Sequence, residues 1–513
     1  MHALVRSAAL TGIDAIEVSV EASIAGGLPG VHVVGLPDAA VREARERVRS
    51  ALRAVRLTLP ASRVVVNLAP ADVRKEGPAF DLPIALALLA AQGRVPHMRL
   101  GAATVVGELG LDGRVRPVRG LLALALAARA AGSTSVVVPA EQRDEVAAVT
   151  GLRAVPVASL LEAIAWARGC PLPRVASNGR PLAGFGERGA GPDADGRAGP
   201  APLDLRDVRG QCVAKRALEV AATGRHHLLL IGPPGSGKTM LAQRLPGLLP
   251  PLTADEALAV ARLHSLAGLP RSPLERLAPL REPHHTASLP GLLGTPASLG
   301  ELSLAHLGVL FLDELPEFER RALEALREPL ETGSLLLARA RSRRRLPADA
   351  LLVAAMNPCP CGHDGDPRRA CRCHPSARGR YLARLSGPLL DRVALRIVVA
   401  APGHGGASAT APEASAVVAA RVEAGRTRAY ARQGCSNAAL RGAALARHAD
   451  VPSAAAGLLA AARAQGRLGE RGVDDVTRVA RTLADLAERR AIAPEDVAEA
   501  LAYRAEIHGV DST

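Results

Sequence analysis

The chain has 513 residues, more than one hydrophobic core normally serves, so two to four domains are expected. Apolar residues make up 48% of the chain and charged residues 22%, a balance that excludes an intrinsically disordered protein. With 64 Lys and Arg against 50 Asp and Glu, the formal net charge is +14, which favours a polyanionic partner such as nucleic acid. Because there are only four Phe, three Tyr and one Trp, stacking on bases can contribute little, and such binding should be electrostatic and salt-sensitive.

The first twenty residues carry Asp14 and Glu17 and contain no continuous apolar run of the kind a secretory signal needs. The longest apolar runs, such as residues 84–91, are far too short to span a bilayer. We therefore expect a cytoplasmic protein with no membrane partner.

Residues 1–170 have the pattern of one α/β domain. IEVSVEASI (16–24) alternates apolar and polar residues like a half-buried strand, and VHVVGL follows a GGLPG turn. Asp38 then caps a predicted helix through about Ala54, and the strand RVVVNLA precedes another helix from about Asp81. Residues 171–202 are rich in Gly, Pro and charge without periodicity, which predicts a flexible linker.

The next domain opens with HHLLLIGPPGSGKTM, an apolar strand that runs into a glycine-rich loop and then a helix. This is the G-x-x-x-x-G-K-[ST] pattern, in which backbone N–H groups wrap phosphate oxygens. The lysine of the pattern reaches the β- and γ-phosphates, and its hydroxyl residue can ligate Mg²⁺. The predicted ATP-binding residues here are Gly232, Pro233, Pro234, Gly235, Ser236, Gly237, Lys238, Thr239 and Met240.

Two later strands end in residues suited to phosphoryl transfer. In GVLFLDELPEF, four apolar residues precede Asp313 and Glu314, so Asp313 can hold Mg²⁺ while Glu314 polarises the attacking water. ALLVAAMNP ends in Asn357, which is well placed to bond the γ-phosphate or that water, although it could also be a turn residue before proline. SGPLLDR ends in Arg392, which in a ring could reach a neighbouring subunit's nucleotide; alone it would be an ion-pair partner.

These motifs together resemble an AAA+ ATPase of the branch that contains magnesium chelatase and the MCM helicases. More narrowly, GLPGVHVVGLPDAAVREARERV, PHHTASLPGLLG, GELSLAH, FLDELPEF, AAMNPCPCG and VARTLADL resemble the ComM/YifB family. The resemblance covers almost the whole chain outside the linker. It implies a hexameric ATPase that drives branch migration on single-stranded and branched DNA during recombination and natural transformation.

The resemblance also implies domain boundaries and residue roles. It predicts an AAA+ core at 203–402, with a helix-2 insert, a hairpin before sensor 1 and a Cys-rich insert, and a helical lid at 403–513. Asn357 becomes sensor 1 and Arg392 the arginine finger. In the family an arginine, often after a serine, shortly precedes the VARTIADL helix; here Gly469 stands at the serine, and Arg471 is taken as sensor 2 over Arg478 and Arg481.

Residues 1–170 resemble the peptidase domain of Lon, which raises the rival hypothesis of an ATP-dependent protease. KEGPAF places Ala79 where that fold has its serine, and GRVRPVRGLL places Leu122 where it has its lysine. Because an acyl-enzyme needs both a nucleophile and a base, we expect a catalytically degenerate domain. It would serve ring assembly or DNA contact instead.

Four of the seven cysteines fall in NPCPCGHDGDPRRACRCHPS, at Cys359, Cys361, Cys371 and Cys373. Two C-x-C pairs could supply a tetrahedral thiolate site for structural Zn²⁺, with His374 as a substitute ligand. Ordinary reduced thiols are the alternative, because C-x-C is a tighter chelate than the usual C-x-x-C. A reducing compartment argues against disulfides.

The stretch SLLLARARSRRRLPADALL (334–352) holds a run of arginines between two strand-like apolar segments. In this AAA+ branch a β-hairpin that projects into the ring's channel occupies this place. We expect its arms at 335–337 and from 346 onward, with the DNA-binding arginines near the tip: Arg341, Arg343, Arg344 and Arg345. The competing interpretation is a solvated loop that keeps the hairpin soluble.

One alternative function comes from the same resemblance. A metal-chelatase motor subunit would use ATP hydrolysis to remodel a partner protein that inserts Mg²⁺ into a porphyrin. Such a subunit has no evident need for an arginine-lined groove, nor for DNA-stimulated ATPase activity. A nucleotide switch without motor activity would not need both Glu314 and Arg392.

Overall fold

The computed structural model describes residues 2–172, 203–269, 271–295, 298–339, 342–365, 369–400 and 412–504. The chain forms two compact units. The first comprises the N-terminal residues and, unexpectedly, residues 254–275; the second comprises the remainder from residue 201. Most of the predicted linker 171–202 lies outside the described residues, as does Arg341. None of the helices in the described ranges is both long and apolar enough to cross a membrane.

The first unit is built on a mixed seven-stranded sheet of order β3-β4-β2-β1-β5-β8-β9. Its strands are β1 His2–Thr11, β2 Asp14–Ala25, β3 Gly30–Val34, β4 Arg63–Ala69, β5 Ala103–Val105, β6 Glu108–Leu109, β7 Val115–Arg116, β8 Ser135–Pro139 and β9 Arg153–Val157, with β6 and β7 forming a separate small ladder. Its N-terminal helices are α1 Ala39–Ala54, α2 Asp81–Ala91, α3 His97–Ala102, α4 Leu121–Ala130, α5 Arg143–Ala147 and α6 Leu160–Ala167, with short 3₁₀ turns at Pro78–Phe80 and Ala140–Gln142.

The predicted elements of this unit are confirmed by the structure. The strand predicted at 16–24 lies within β2, and RVVVNLA forms β4, its antiparallel neighbour. Asp38 caps α1 by accepting a hydrogen bond from the backbone N of Val41 (2.8 Å). Every residue of helix α2 is buried, and apart from Asp81 at its first position the helix is apolar on all sides, as expected for a helix within the core.

The second unit contains a five-stranded parallel sheet of order β11-β14-β17-β10-β18. From residue 203 onward the strands are β10 Leu228–Ile231, β11 Leu280–Arg281, β12 Gly294–Thr295, β13 Ser298–Leu299, β14 Val309–Leu312, β15 Ser334–Arg339, β16 Ser342–Pro347, β17 Leu351–Met356 and β18 Leu395–Val398. The residues of β10, β14 and β17 are all buried, as expected for parallel strands covered on both faces.

The helices from residue 203 onward alternate with these strands and then run consecutively to residue 502. They are α7 Cys212–Gly224, α8 Lys238–Arg244, α9 Ala254–Leu266, α10 Leu289–Leu293, α11 Glu301–Leu304, α12 Arg320–Ala325, α13 Arg327–Thr332, α14 Pro375–Leu382, α15 Gly387–Leu390, α16 Ser415–Gln433, α17 Gly442–Ala449, α18 Ser453–Ala464, α19 Glu470–Leu486 and α20 Pro494–Ala502. Short 3₁₀ turns occupy Leu205–Asp207, Leu245–Leu248, Leu315–Glu317 and Asn437–Ala439. The single helix expected over about 316–331 is instead divided into a 3₁₀ turn, α12 and α13.

Helix α9 belongs to the first unit although the sequence boundaries placed it inside 203–402. Ala261 lies in the same apolar cluster as residues of α4 and β8. Ser265 Oγ donates to the buried carboxylate of Glu145 (2.8 Å), which also accepts from Gln142 Nε2 (2.8 Å). Burial raises the pKa of Glu145, and the Ser265 hydrogen bond opposes that rise. The helix therefore supplies both apolar contact and a polar partner to this unit.

We expect Ser265→Ala to lower the free energy of unfolding of the first unit by about 1–3 kcal/mol, because Glu145 loses a buried donor. The loss should be greatest where Glu145 is ionised and should diminish as pH falls through its folded-state pKa, since the bond favours the charged form. Urea unfolding followed by tryptophan fluorescence measures this, because the single tryptophan, Trp166, lies in α6 of this unit. Ser50→Ala in α1 is the matched control, with a change expected within about 0.5 kcal/mol. Equal effects of the two substitutions would contradict the role given to Ser265.

Candidate nucleotide-binding and hydrolysis site

The glycine-rich loop connects β10 to α8 at the carboxyl edge of the parallel sheet. At Gly232 a Cβ atom would lie 2.4 Å from the carbonyl O of Val399, so close packing requires glycine there. Gly235 and Gly237 have φ of +73° and +91° with open space around them. This loop therefore leaves its backbone exposed to a cleft of about 360 Å³, lined by Pro234, Gly235, Ser236, Gly237, Lys238, Thr239, Met240, Asp313, Glu314, Met356 and Asn357.

Lys238 is the first residue of α8 and is only 8% exposed. Its Nζ donates to the carbonyl oxygens of Gly232 (2.8 Å) and Pro233 (3.0 Å) and to Oδ1 of Asn357 (3.2 Å). Burial lowers the pKa of Lys238, while the nearby Asp313 and Glu314 oppose that shift. A buried ammonium whose direct partners are neutral oxygens is suited to an anionic ligand.

The cleft also contains a buried hydroxyl group that is available to bond a phosphate. Ser236 Oγ is buried and has no hydrogen-bond partner among the described residues. It lies in the same loop as Gly235 and Gly237 and immediately before the N-terminus of α8, where free backbone N–H groups favour anions. The residues present therefore fit a nucleoside triphosphate.

Asp313 and Glu314 follow β14, the strand next to β17 in the sheet. Thr239 Oγ1 donates to Asp313 Oδ2 (2.8 Å), which brings together the two oxygen ligands predicted for Mg²⁺. Glu314 has a φ of +54°, a left-handed conformation that is uncommon for a residue with a side chain and is concentrated at functional sites. Its carboxylate is half exposed and faces the cleft.

His285 is a neighbour of Glu314 that the sequence analysis did not single out. Its Nδ1 lies 3.1 Å from Glu314 Oε2. His285 follows β11, whose parallel pairing with β14 puts their carboxyl ends side by side. In the sequence, the only indication of a role for His285 was its place in PHHTASLPGLLG. That stretch does not reveal that the strand before it pairs with β14.

Of the other predicted site residues, the structure places one in the cleft and two outside it. Asn357 follows β17 and lies in the cleft through its bond from Lys238. Arg392 is not among the cleft residues; its guanidinium bonds Glu331 Oε2 (2.8 Å) and the carbonyl O of Pro388 (3.0 Å). Arg471 is exposed in the first turn of α19 and does not line the cleft either.

Comparison with known proteins agrees with this geometry. Three family models match: "Magnesium chelatase, subunit ChlI" at residues 204–405, "Subunit ChlI of Mg-chelatase" at 20–142 and "Magnesium chelatase, subunit ChlI C-terminal" at 412–504. The chain is 43% identical to YifB of Escherichia coli over 508 residues, covering 98% of this chain and 97% of that one. It is 40% identical to the competence protein ComM of Haemophilus influenzae over 513 residues, covering 98% of each.

The chain belongs to the ComM/YifB family. It is accordingly an AAA+ ATPase of the magnesium chelatase-like kind. Protein Rv2897c of Mycobacterium tuberculosis is a further relative, 45% identical over 507 residues and 97% of both chains. A weaker match, 32% identity over 148 residues, links 28% of this chain to 18% of Lon protease 3 of Sorangium cellulosum.

In this ComM/YifB family member, Ala79 and Leu122 lie against one apolar cluster. Leu122 is 1% exposed within that cluster, and Ala79 packs on it. The cluster also contains Ala261 of α9, and the backbone N of Leu122 lies 3.4 Å from Ser265 Oγ. Leu122 thus packs in the same apolar cluster as a residue of α9. The side chains of Leu122 and Ala79 can supply neither a base nor a nucleophile.

The four cysteines of the Cys-rich insert come together in space. Their Sγ atoms all lie within 4.8 Å of one another, and Cys359 is buried. Backbone N–H donors from Arg372 and His363 lower the pKa of the Cys361 thiol to about 6. His374, the suggested substitute ligand, instead caps α14 by accepting from the backbone N of Ser376 (3.3 Å).

The arginine run lies on a β-hairpin whose arms are longer than expected. Strands β15 and β16 pair from Ser334 with Pro347 to Arg339 with Ser342. The first arm, expected at 335–337, extends over Ser334–Arg339. The second arm, expected from 346 onward, begins at Ser342, so residues 343–345 lie on that arm. Leu335 and Leu346 face each other and are both buried, so the base of the hairpin is packed. Arg345 is exposed, and its Nε donates to Ser334 Oγ (3.1 Å).

We expect Lys238→Ala to weaken ATP binding by about 10- to 100-fold, because one charged donor is lost. Glu314→Gln should bind ATP like the parent and hydrolyse it about 100-fold more slowly or worse, since it removes the base and keeps the shape. Equilibrium binding of a fluorescent ATP analogue and steady-state phosphate release separate the two effects. Near-normal turnover by the glutamine variant would refute the assignment of Glu314.

Proposed function

We propose that this ComM/YifB family ATPase is a hexameric, ATP-driven motor on single-stranded and branched DNA. It would act as a branch-migration helicase in recombination or natural transformation, in the cytoplasm. The observation that carries the proposal is the arginine-bearing hairpin β15–β16, which is inserted between β14 and β17. Glu314 and Asn357 follow these two strands, so the hairpin is part of the connection between two cleft residues. The Haemophilus influenzae relative is named competence protein ComM, which agrees with a role in natural transformation.

Each of the cleft residues has a separate role in the proposed ATP hydrolysis. Lys238 stabilises the negative charge of the β- and γ-phosphates, and the loop N–H groups hold their oxygens. Thr239 and Asp313 would hold Mg²⁺, which would supply positive charge to stabilise the phosphate oxygens. Glu314 orients and deprotonates the attacking water, and Asn357 bonds that water or the γ-phosphate. Asp313 and Thr239 are already hydrogen-bonded, so these groups are organised before ligand arrives.

The hairpin would couple this chemistry to DNA through charge. Its arginines offer phosphate contacts that carry no sequence information, and the chain has too few aromatic residues for base stacking to dominate. Arg344 and Arg345, being adjacent on one strand, point to opposite faces of the hairpin. Hydrolysis beside Glu314 and Asn357 would shift the connection between them, and the hairpin with it.

A metal-chelatase motor subunit is the second candidate, because the matched family models bear that name. It would hydrolyse ATP through the same cleft and act on a protein partner. An ATPase rate that responds to DNA favours the first proposal over this one. In either case no peptidase activity is expected, because Ala79 and Leu122 lack the required groups.

We also propose that the four cysteines hold Zn²⁺ in place of bare thiols. The clustered thiols are chemically suited to this ion, and their spacing supports it. For Arg471, an exposed residue at the N-terminus of α19, we retain the role of sensor 2 within an assembled ring.

Replacing Arg343, Arg344 and Arg345 with alanine should weaken binding of single-stranded and branched DNA irrespective of sequence. If three phosphate contacts are lost, the magnitude of the slope of log K against log salt should fall by about 2 on single strands and by up to about 3 on duplex arms. DNA-stimulated ATPase and unwinding should disappear while the basal ATPase rate persists. Fluorescence anisotropy across a salt series and a strand-displacement assay measure these effects.

The matched control removes three exposed arginines elsewhere in the second unit, at positions 447, 463 and 467. This variant has the same net charge as the hairpin variant but keeps the hairpin. If both variants lose DNA binding equally, general charge rather than the hairpin is responsible. If the hairpin variant moves DNA like the parent, the arginines only keep the hairpin soluble.

Hydrolysis should require assembly, because Arg392 does not line its own subunit's cleft. Its partner Glu331 is half exposed, whereas the Arg392 side chain is only 15% exposed, so reaching a neighbour's phosphate would require that side chain to leave its present contacts. Arg392→Ala and Lys238→Ala subunits should each be inactive alone, yet mixtures should recover part of the activity where the two defects fall at different interfaces. A strictly monomeric preparation that hydrolyses ATP at the full rate would refute the trans role.

A further inference from the structure

The segment from Asn357 to Tyr381 begins at the nucleotide cleft, passes through the cysteine cluster and returns to its starting point. Tyr381, on α14, donates its hydroxyl to the carbonyl O of Asn357 (3.3 Å). Arg378, on the same helix, pairs with Asp364 (2.8 Å) within the loop. Two contacts thus close the described part of this segment, and all four cysteines lie between Asn357 and Tyr381 in the chain.

The spacing of the sulfur atoms matches a metal site. Cys359 Sγ lies 3.4 Å from Cys361 Sγ and 3.6 Å from Cys371 Sγ, and the latter two are 3.7 Å apart. A tetrahedron with Zn–S bonds of about 2.3 Å has edges of about 3.8 Å, whereas a disulfide needs sulfurs about 2.05 Å apart. Two backbone N–H groups, of Cys361 and Cys373, also donate to cluster sulfurs (3.4 Å each), the outer-shell support that thiolate ligands require.

The loop that carries Cys359 and Cys361 also packs against the phosphate-binding loop. Gly362 follows Cys361 directly, and its backbone N donates to the carbonyl O of Cys359 (2.9 Å). A Cβ atom at Gly362 would lie 2.5 Å from Cδ of Pro234 and 3.8 Å from Cγ of Asn357. Pro234 stands between Gly232 and Gly235 in the phosphate-binding loop. Gly362, directly after the first C-x-C pair, is therefore packed closely against Pro234 and lies near Asn357, two residues that line the nucleotide cleft.

We propose that the cysteine cluster is a metal-dependent positioning element of the ATPase site. Zn²⁺ joins the turn 359–361 to the turn 371–373, and this fixes Gly362 against Pro234 and Asn357 beside Lys238. Without the metal, thiol contacts alone hold the two turns together, and the backbone regains conformational freedom that costs free energy to remove. The inference rests on the proposed zinc site and on ATP hydrolysis in the cleft, but not on DNA as the partner.

The first arm of the test changes the metal. Protein purified without chelator should contain one zinc per chain by elemental analysis. Chelation under reducing conditions should raise KM for ATP and the Kd of a fluorescent ATP analogue by about tenfold. Readdition of Zn²⁺ should restore both values. Cys373→Ser should behave like the chelated protein, and Cys435→Ser, outside the cluster, like the parent.

The second arm changes the contact and keeps the metal, so it stays informative if chelation unfolds the domain. Gly362→Ala should retain zinc but show the same rise in KM and Kd, because its methyl group displaces Pro234. Gly365→Ala is the matched control, since Gly365 has a similar φ of +75° but open space around it. Zinc retention in both variants, with a nucleotide defect only at position 362, is the expected result.

Three results would overturn the proposal. They are absence of zinc from the purified protein, unchanged KM and Kd after complete metal removal, and equal nucleotide binding by the two glycine variants. DNA stimulation of the parent is measured in parallel. Its absence would overturn the DNA motor and leave the positioning role standing, so the two failures are distinguishable. A parent protein that binds no ATP would overturn both.

Discussion

The hydrogen bond from Lys238 Nζ to Asn357 Oδ1 joins the ends of two adjacent parallel strands, and the candidate site depends on it. Because β17 lies between β10 and β14, Asn357 stands beside both the phosphate-binding loop and the acidic pair. Parallel strands present their carboxyl ends at one edge, so three separate motifs converge without any one loop reaching far. The buried ammonium of Lys238 is stabilised by these oxygens and is organised for phosphate at the same time.

Two insertions depart from the central strands and both begin or end at this cleft. The hairpin β15–β16 is inserted between β14 and β17, and the cysteine loop follows β17 immediately. Each has its own anchor, the buried pair Leu335 and Leu346 in one and Cys359 in the other. An insertion with a packed base can transmit a displacement of the cleft, because its distal part follows its base. This is the structural reason for expecting both insertions to respond to nucleotide.

In the first unit, an apolar cluster forms around Leu122 and includes a residue of α9. Leu122 is buried with α9 around it, and the polar partner of Glu145 is Ser265 of that helix. A buried carboxylate requires such a partner, which makes α9 part of the unit's stability rather than an accessory. A helix that comes from the sequence between α8 and β11 thereby belongs to a domain completed some hundred residues earlier.

The sequence by itself determined the local features whose cause is local. Apolar runs and turn residues predicted β2, β4, β10, β14 and β17, and the glycine-rich motif predicted the loop before Lys238. The clustering of the four cysteines was also predictable, because each C-x-C pair already holds two thiols together. In these cases neighbouring residues decide the conformation.

Only the tertiary structure decided which distant residues meet. His285 reaches Glu314 because β11 pairs with β14, and Gly362 reaches Pro234 because β17 pairs with β10. Neither strand pairing can be predicted from a single sequence, since the residues of an apolar strand do not specify which strand it pairs with. The ion pair of Arg392 with Glu331 and the packing of α9 in the first unit have the same origin. The pairing of the two hairpin strands was also visible only in the structure. The buried pair Leu335 and Leu346 fixes this pairing, whereas the run of arginines does not.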